Sequence, residues 1–184
     1  MNDLGSNAEE LGKRARSSPK YKTFIDIGIR DGDSSRELLT GVEQNDGEIF
    51  GIDVANITKD FINHPKYTFI RGESVEIASQ WNAQKADVIF IDTTHVDTYV
   101  LCELYYWWDL LNEGGIMALH DTEWPSGWRP PEPEVYTRHA GHVCEGVKTF
   151  FGVTSLDYED DFISMNHYPN SFGMTFVTKK KNFD

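Results

Sequence analysis

Apolar positions follow two rhythms along this chain. Short runs rich in Ile, Val and Phe alternate with stretches in which apolar residues return every three or four positions, as expected of strands alternating with helices. Phe24, Ile25 and Ile27 form the first run, residues 48–53 the second and 67–71 the third. The fourth, 86–92, is the most continuous and is expected as the buried central strand; the fifth is 115–119. Helical spacing predicts helices after Asp33, over 56–63, 75–84 and 96–111, and finally over 146–151. Residues 161–166 and 172–178, joined through Tyr168, Pro169, Asn170 and Ser171, read as a closing hairpin. The pattern predicts an α/β fold with a doubly wound, mostly parallel seven-stranded sheet and a C-terminal antiparallel hairpin.

Two segments lack this periodicity. Residues 1–20 are polar and charged, and read either as a flexible tail or as one short amphipathic helix near 8–15. The stretch 124–141, WPSGWRPPEPEVYTRHAG, holds four prolines and several aromatics. A loop of that length in a compact domain is usually functional or disordered. Its flat apolar faces and its arginines suit a substrate lid; the alternatives are a solvated loop or a contact between copies in a homo-oligomer. Residues 21–184 are then one domain, the size that 184 residues favour.

Charge narrows the ligand classes. With 17 basic and 30 acidic residues the formal charge is −13, a field that repels nucleic-acid phosphates and anionic lipid. The one dense basic run, 179–181, is expected as a solvated tail. No apolar run is long enough to span a bilayer and the first twenty residues carry no signal-peptide core, so a cytoplasmic protein is expected. Cys102 and Cys144 form neither a metal spacing nor a disulfide framework.

The candidate chemistry lies where strands are expected to end. In doubly wound sheets ligands bind outside the carboxyl ends of the strands. Asp26, Asp53, Glu73, Asp92, His95, His120 and Asp121 all fall there. Like charges crowded along one edge are costly unless a cation, a metal or a proton offsets them. The first strand leads into Asp26-x-Gly28-x-x-x-Gly32-x-Ser34, a turn lacking the Gly-x-Gly-x-x-Gly of dinucleotide enzymes and the lysine of a phosphate loop. Asp53 follows Gly32 by 21 positions, the spacing at which an acid can accept from a ribose hydroxyl pair.

This turn resembles the first motif of the class I S-adenosylmethionine-dependent methyltransferases, which are Rossmann-like. An acid beside a glycine turn also suits a cationic, zwitterionic ligand. Phe90–His95, FIDTTH, and 118–124, ALHDTEW, resemble paired motifs of a subgroup containing metal-dependent O-methyltransferases and cephalosporin hydroxylase-like relatives. The resemblance implies S-adenosylmethionine contacts at Asp26, Gly28, Asp31, Gly32, Ser34, Asp53 and Asp92, with Glu73 and Ser74 beside the adenine. Ser74 and Glu76 read equally well as a helix cap. It implies a divalent cation, Mg²⁺ or another, on Asp92, His120 and Asp121, and His95 as general base. An acid is more usual where His120 stands, and an imidazole shifts metal preference toward softer ions.

The implied activity is methyl transfer to a hydroxyl of a small molecule or sugar. A non-catalytic S-adenosylmethionine-binding module is the alternative of a different class. A nicotinamide-dependent sugar-modifying enzyme is the other, and the missing dinucleotide fingerprint counts against it.

Overall fold

The computed structural model describes residues 4–123 and 142–182, so the stretch 124–141, with the expected lid, lies outside the described residues. Eight strands form one sheet: β1 (Thr23–Ile27), β2 (Glu48–Asp53), β3 (Tyr67–Arg71), β4 (Ala86–Ile91), β5 (Leu111–His120), β6 (Tyr158–Glu159), β7 (Ile163–Tyr168) and β8 (Met174–Lys179). Their order across the sheet is β3-β2-β1-β4-β5-β8-β7-β6. The first five run parallel, and β5, β8, β7 and β6 pair antiparallel. The strand beyond the expected seven is β6, two residues at the edge, too short to leave a periodic signal.

Strand alternation sends side chains to two separate cores. Ile25, Ile27, Ile89, Ile91, Met117 and Leu119 face one side, covered by α3 (Ser74–Ser79), α4 (Asp97–Asp109) and α5 (His142–Phe151). Phe24, Val88, Phe90 and Ala118 face the other, covered by α1 (Ser6–Ala15) and α2 (Asp33–Asn45). Helices on both faces explain why β1 and β4 read as apolar runs and not as alternating patterns.

One open reading of a segment is resolved and two expectations need correction. Of the two readings of the first twenty residues the helix is the one present: α1 buries Ala8, Leu11 and Ala15, and its apolar stripe packs on α2. The span expected as a helix over 56–63 holds only a 3₁₀ turn, Asp60–Asn63, before His64-Pro65. Lys179, expected in a solvated tail, is the last residue of β8 and is buried. Its Nζ donates to the carbonyls of Trp108 (2.8 Å) and Leu111 (3.1 Å) and lies 5.1 Å from the Trp108 ring. It thus satisfies carbonyls that the end of α4 leaves open.

The strand order reverses between β1 and β4, which opens a crevice at their carboxyl ends. Two glycines shape it. Gly28 has φ +86°, and a Cβ there would collide with the Asp92 carbonyl; Gly32, φ +83°, caps α2 in the left-handed region against the Phe61 ring. No side chain of the first turn caps α2, although Asp33, Ser34 and Ser35 have the chemistry to do so.

Because α1 completes a core, Leu11→Ala is expected to destabilise the fold by about 2–5 kcal/mol, the range for a truncated, fully buried leucine. Urea unfolding measures this, and an unchanged midpoint would mean that α1 contributes nothing to the fold.

Candidate functional site

A cleft of about 440 Å³ lies at the crevice, lined by Gly28, Arg30, Asp53, Val54, Glu73, Ser74, Asp92, Thr93 and Tyr99 among others. Backbone geometry sets its acidic side chains. Asp53, at the end of β2, accepts from the amides of Arg30 (3.1 Å) and Ala55 (2.8 Å), which ties its carboxylate to the turn after β1. Glu73, just past β3, accepts from the Tyr99 hydroxyl at 2.8 Å. Ser74 accepts from the Trp107 indole at 2.9 Å, so its hydroxyl helps to hold α3 on α4 as well as lining the cleft.

Asp26 is elsewhere. It is the fourth residue of β1, fully buried, and its side chain points to the α2 side of the sheet, as do Phe24 and Phe90. Ser35 donates to its Oδ2, and the Ser35 hydroxyl is in turn 2.9 Å from that of Tyr67. Burial pushes Asp26 up to about 6, against the pull of the Ser35 and Ser34 hydroxyls. The acid expected to touch a ligand is therefore a buried strut beneath the turn, and Ser34, itself buried, also serves it. Asp31 lies on the exposed outer part of the turn, paired with Lys59 at 3.0 Å.

Beside the cleft, past β4 and β5, four ionisable side chains meet. Ligand atoms of Asp92, His95 and Asp121 all lie within 4.8 Å of one another. His95 Nε2 is 2.6 Å from Asp121 Oδ2. His120 Nδ1 lies 3.3 Å from Asp92 Oδ2 and 3.6 Å from Asp121 Oδ2, close enough for attraction but without the alignment of a hydrogen bond. Its other nitrogen, Nε2, donates to the Ser171 carbonyl at 3.0 Å, since a carbonyl only accepts. Asp121 takes φ +56°, an uncommon conformation for a residue with a side chain and one that clusters at functional sites.

The charges depend on one another. Burial alone would lower His120, but the attraction of the nearby Asp121 and Asp92 carboxylates outweighs it and carries the imidazole up to about 10. Burial likewise opposes the shift at His95, and Asp121 with Asp92 raises it. Burial would raise Asp121, yet the two imidazoles hold it well below the usual carboxylate range. Such a cluster favours net positive charge at its centre, which protons or a cation can supply. A divalent cation fits the donors: two carboxylates, an imidazole edge at His95, and a His120 nitrogen aimed at the carboxylates while the opposite nitrogen is fixed by a carbonyl. The expected ligands Asp92, His120 and Asp121 are thus brought together, and His95 lies among them as much as beside them.

The sequence reading missed two functional positions. Tyr99 lines the cleft and holds Glu73. Glu103 is fully buried in α4, and its Oε2 accepts from Thr93, next to Asp92, at 2.7 Å. A signal for Glu103 was available: it is an acid among Val100, Leu104 and Trp107 on an otherwise apolar helix face.

A family model described as a methyltransferase domain matches residues 25–122, just over half of the chain. Among curated proteins none matches the chain's sequence. Three solved structures share the fold. An SAH-bound methyltransferase from Podospora anserina is 18% identical, with a TM-score of 0.66 over 95% of this chain and 78% of that one. A candidate caffeoyl-CoA O-methyltransferase from Staphylococcus aureus is 14% identical, with a TM-score of 0.67 over 94% and 82%. MycE of the mycinamycin biosynthetic pathway, in complex with Mg, SAH and mycinamycin VI, is 16% identical with a TM-score of 0.61; 98% of this chain covers 50% of MycE.

Asp26 yields a measurable pH effect. Its folded value of about 6 lies above the ordinary 3.8, so the folded state keeps a proton that the unfolded state has released between those values. Its contribution to stability is complete below pH ~3.8 and is lost as pH rises to ~6, a change of about 3 kcal/mol at ~1.4 kcal/mol per unit. Asp26→Asn should therefore gain stability relative to wild type across this window in denaturant titrations. A constant difference between the two proteins from pH 4 to pH 7 would contradict the assignment.

Proposed function

Since the chain belongs to the methyltransferase domain family, a class I S-adenosylmethionine-dependent fold, we propose that it transfers the methyl group of S-adenosylmethionine to a hydroxyl of a small molecule or sugar, with a divalent cation assisting. The observation that carries this reading is the meeting of Asp92, His95 and Asp121 at one end of the cleft, with Asp92 belonging to both. When bound, the cofactor supplies an electrophilic methyl on a sulfonium, and the cation lowers the pKa of an acceptor hydroxyl.

The chain's own residues do the rest. Gly28 lets the turn after β1 close onto the Asp92 backbone, which brings Asp92 to the wall of the cleft. Asp53, already oriented by two amides, retains lone pairs to accept from a ribose hydroxyl. Glu73 and Tyr99 form the polar wall expected beside the adenine, and Val54, a half-exposed apolar residue, offers it an apolar neighbour.

Asp92 and Asp121 hold the cation, joined by His120, whose ring is fixed through its Nε2 proton on Ser171. A mixed oxygen and nitrogen set accepts Mn²⁺ as readily as Mg²⁺. His95 takes the acceptor's proton as general base, and the neighbouring Asp121 and Asp92 stabilise the imidazolium that results. The acidic surface directs the reading toward a small acceptor and away from nucleic acid. No helix among the described residues is long and apolar enough to cross a membrane.

Calorimetric titration with S-adenosylmethionine tests the first half: wild type should bind, and Asp53→Ala should bind more weakly by about 1–3 kcal/mol, the cost of losing a charged hydrogen-bond partner. An absence of heat with wild type ends the proposal. Metal removal tests the second half. Mn²⁺ should bind one site per chain and be lost in Asp92→Asn and Asp121→Asn, whereas wild-type affinity in both variants would move the cation elsewhere.

A further inference from the structure

Beside the acid and imidazole cluster lies a small cavity of about 10 Å³, lined by Asp92, Thr93, His95, Glu103, His120 and apolar neighbours among others. That is close to the room one water molecule needs. Two of its lining residues carry buried polar atoms without a hydrogen-bond partner among the described residues: Glu103 Oε1 and His120 Nδ1. Leaving such an atom unsatisfied costs about 1–3 kcal/mol, and a bridging water is the usual remedy.

We propose that in the metal-free chain this cavity holds one water bridging Glu103 Oε1 and His120 Nδ1, and that Glu103, through Thr93 and the backbone after Asp92, is a positioning residue for the proposed cation site. The carboxyl then acts from below in two directions. Through Oε2 it accepts from Thr93 and fixes the backbone just after Asp92, where the loop to His95 begins. Through Oε1 and the water it holds the ring of His120 while Nδ1 carries no cation, and Ser171 holds that ring from the opposite side.

The bridge tolerates either protonation state. Burial pushes Glu103 up to about 7, against the Thr93 and Ser74 hydroxyls, so the group can donate to the water as an acid or accept from it as a carboxylate. The charged His120 ring donates from Nδ1 to the water, and the water's own hydrogen is left to meet Glu103 Oε1. Placed on α4 between the two sites, Glu103 reaches the cleft through Thr93 and the cluster through His120. Its positioning role rests on the metal-assisted reading above; the water itself does not.

Two measurements decide the matter. A high-resolution crystal structure of the metal-free full chain should show one water within hydrogen-bond reach of both atoms. A dry cavity, or direct contact between the two side chains, overturns the bridge. Mn²⁺ affinity, followed by electron paramagnetic resonance, should fall about 10- to 100-fold in Glu103→Leu, the usual effect of losing a group that orients metal ligands. In Glu103→Gln, which can still meet Thr93 and the water, it should stay close to wild type.

Wild-type affinity in Glu103→Leu, or equal losses in both variants, overturns the positioning role. Should Glu103→Leu fail to fold, Thr93→Val removes the donor to Oε2 alone and must still weaken Mn²⁺. Wild type that binds no Mn²⁺ overturns the role, whereas Mn²⁺ binding without S-adenosylmethionine binding overturns the methyl-transfer reading alone.

Discussion

Two carboxylates and two imidazoles share the space past β4 and β5, and the charges of His95, His120 and Asp121 depend on their neighbours there. Asp121 stays ionised because His95 and His120 face it, and His120 stays charged because Asp92 and Asp121 face it. Burial works against every one of these charges, so geometry must be accurate for the attraction to outweigh desolvation. The surrounding structure meets that demand from three sides. Asp121 is held in a left-handed backbone conformation, Thr93 is held by Glu103, and the His120 ring is held by a carbonyl from the β7–β8 turn. The turn is itself supported by Asn7 of α1, which donates to the Asn170 carbonyl at 2.6 Å.

The cleft and the cluster are one arrangement, because the sheet reverses its order between β1 and β4. At that reversal the turn after β1 passes so close to the end of β4 that only a residue without Cβ fits at Gly28. The approach makes Asp92 a common wall, facing the cleft on one side and His120 on the other. Below the turn, the buried Asp26 ties β1 to α2 through Ser35 and to β3 through Tyr67. The same acid that reads in the sequence as a ligand contact holds the turn after β1 in place.

Much of this was legible in the residues. Apolar runs with acids at or just beyond their ends placed Asp53, Glu73 and Asp92 correctly, since strand length and the turn that follows are local properties. The spacing from Asp92 to His95 and the pair His120-Asp121 located the cluster once a parallel sheet was assumed, because parallel strands put their carboxyl ends along one edge. What stayed hidden depends on the face a residue takes and on backbone groups. Asp26 and Ile27 differ by one position and so by one side of the sheet, a distinction that a five-residue strand does not advertise. Lys179 sits in a run of three lysines, and only the register of β8 against β5 turns it inward to the end of α4. The carbonyl that orients His120 has no side-chain signature at all. Glu103 was visible as an anomaly on an apolar helix face, though its partner Thr93 was not.

The place of β8 in the sheet bears on how the protein comes into being. This strand lies between β5 and β7, so the antiparallel half of the sheet is closed from the inside by a segment made after its neighbours on both sides. During synthesis the parallel half can assemble as each strand and helix emerges, but β5 keeps an open edge until β8 arrives. The His120 ring likewise waits for Ser171, just ahead of β8, to supply its carbonyl. A nascent chain halted before this point would carry the crevice between β1 and β4 beside a cluster whose His120 ring lacks its anchoring carbonyl. The cleft would then be complete before the cluster beside it, and the exposed edge of β5 would be the surface through which a stalled chain aggregates.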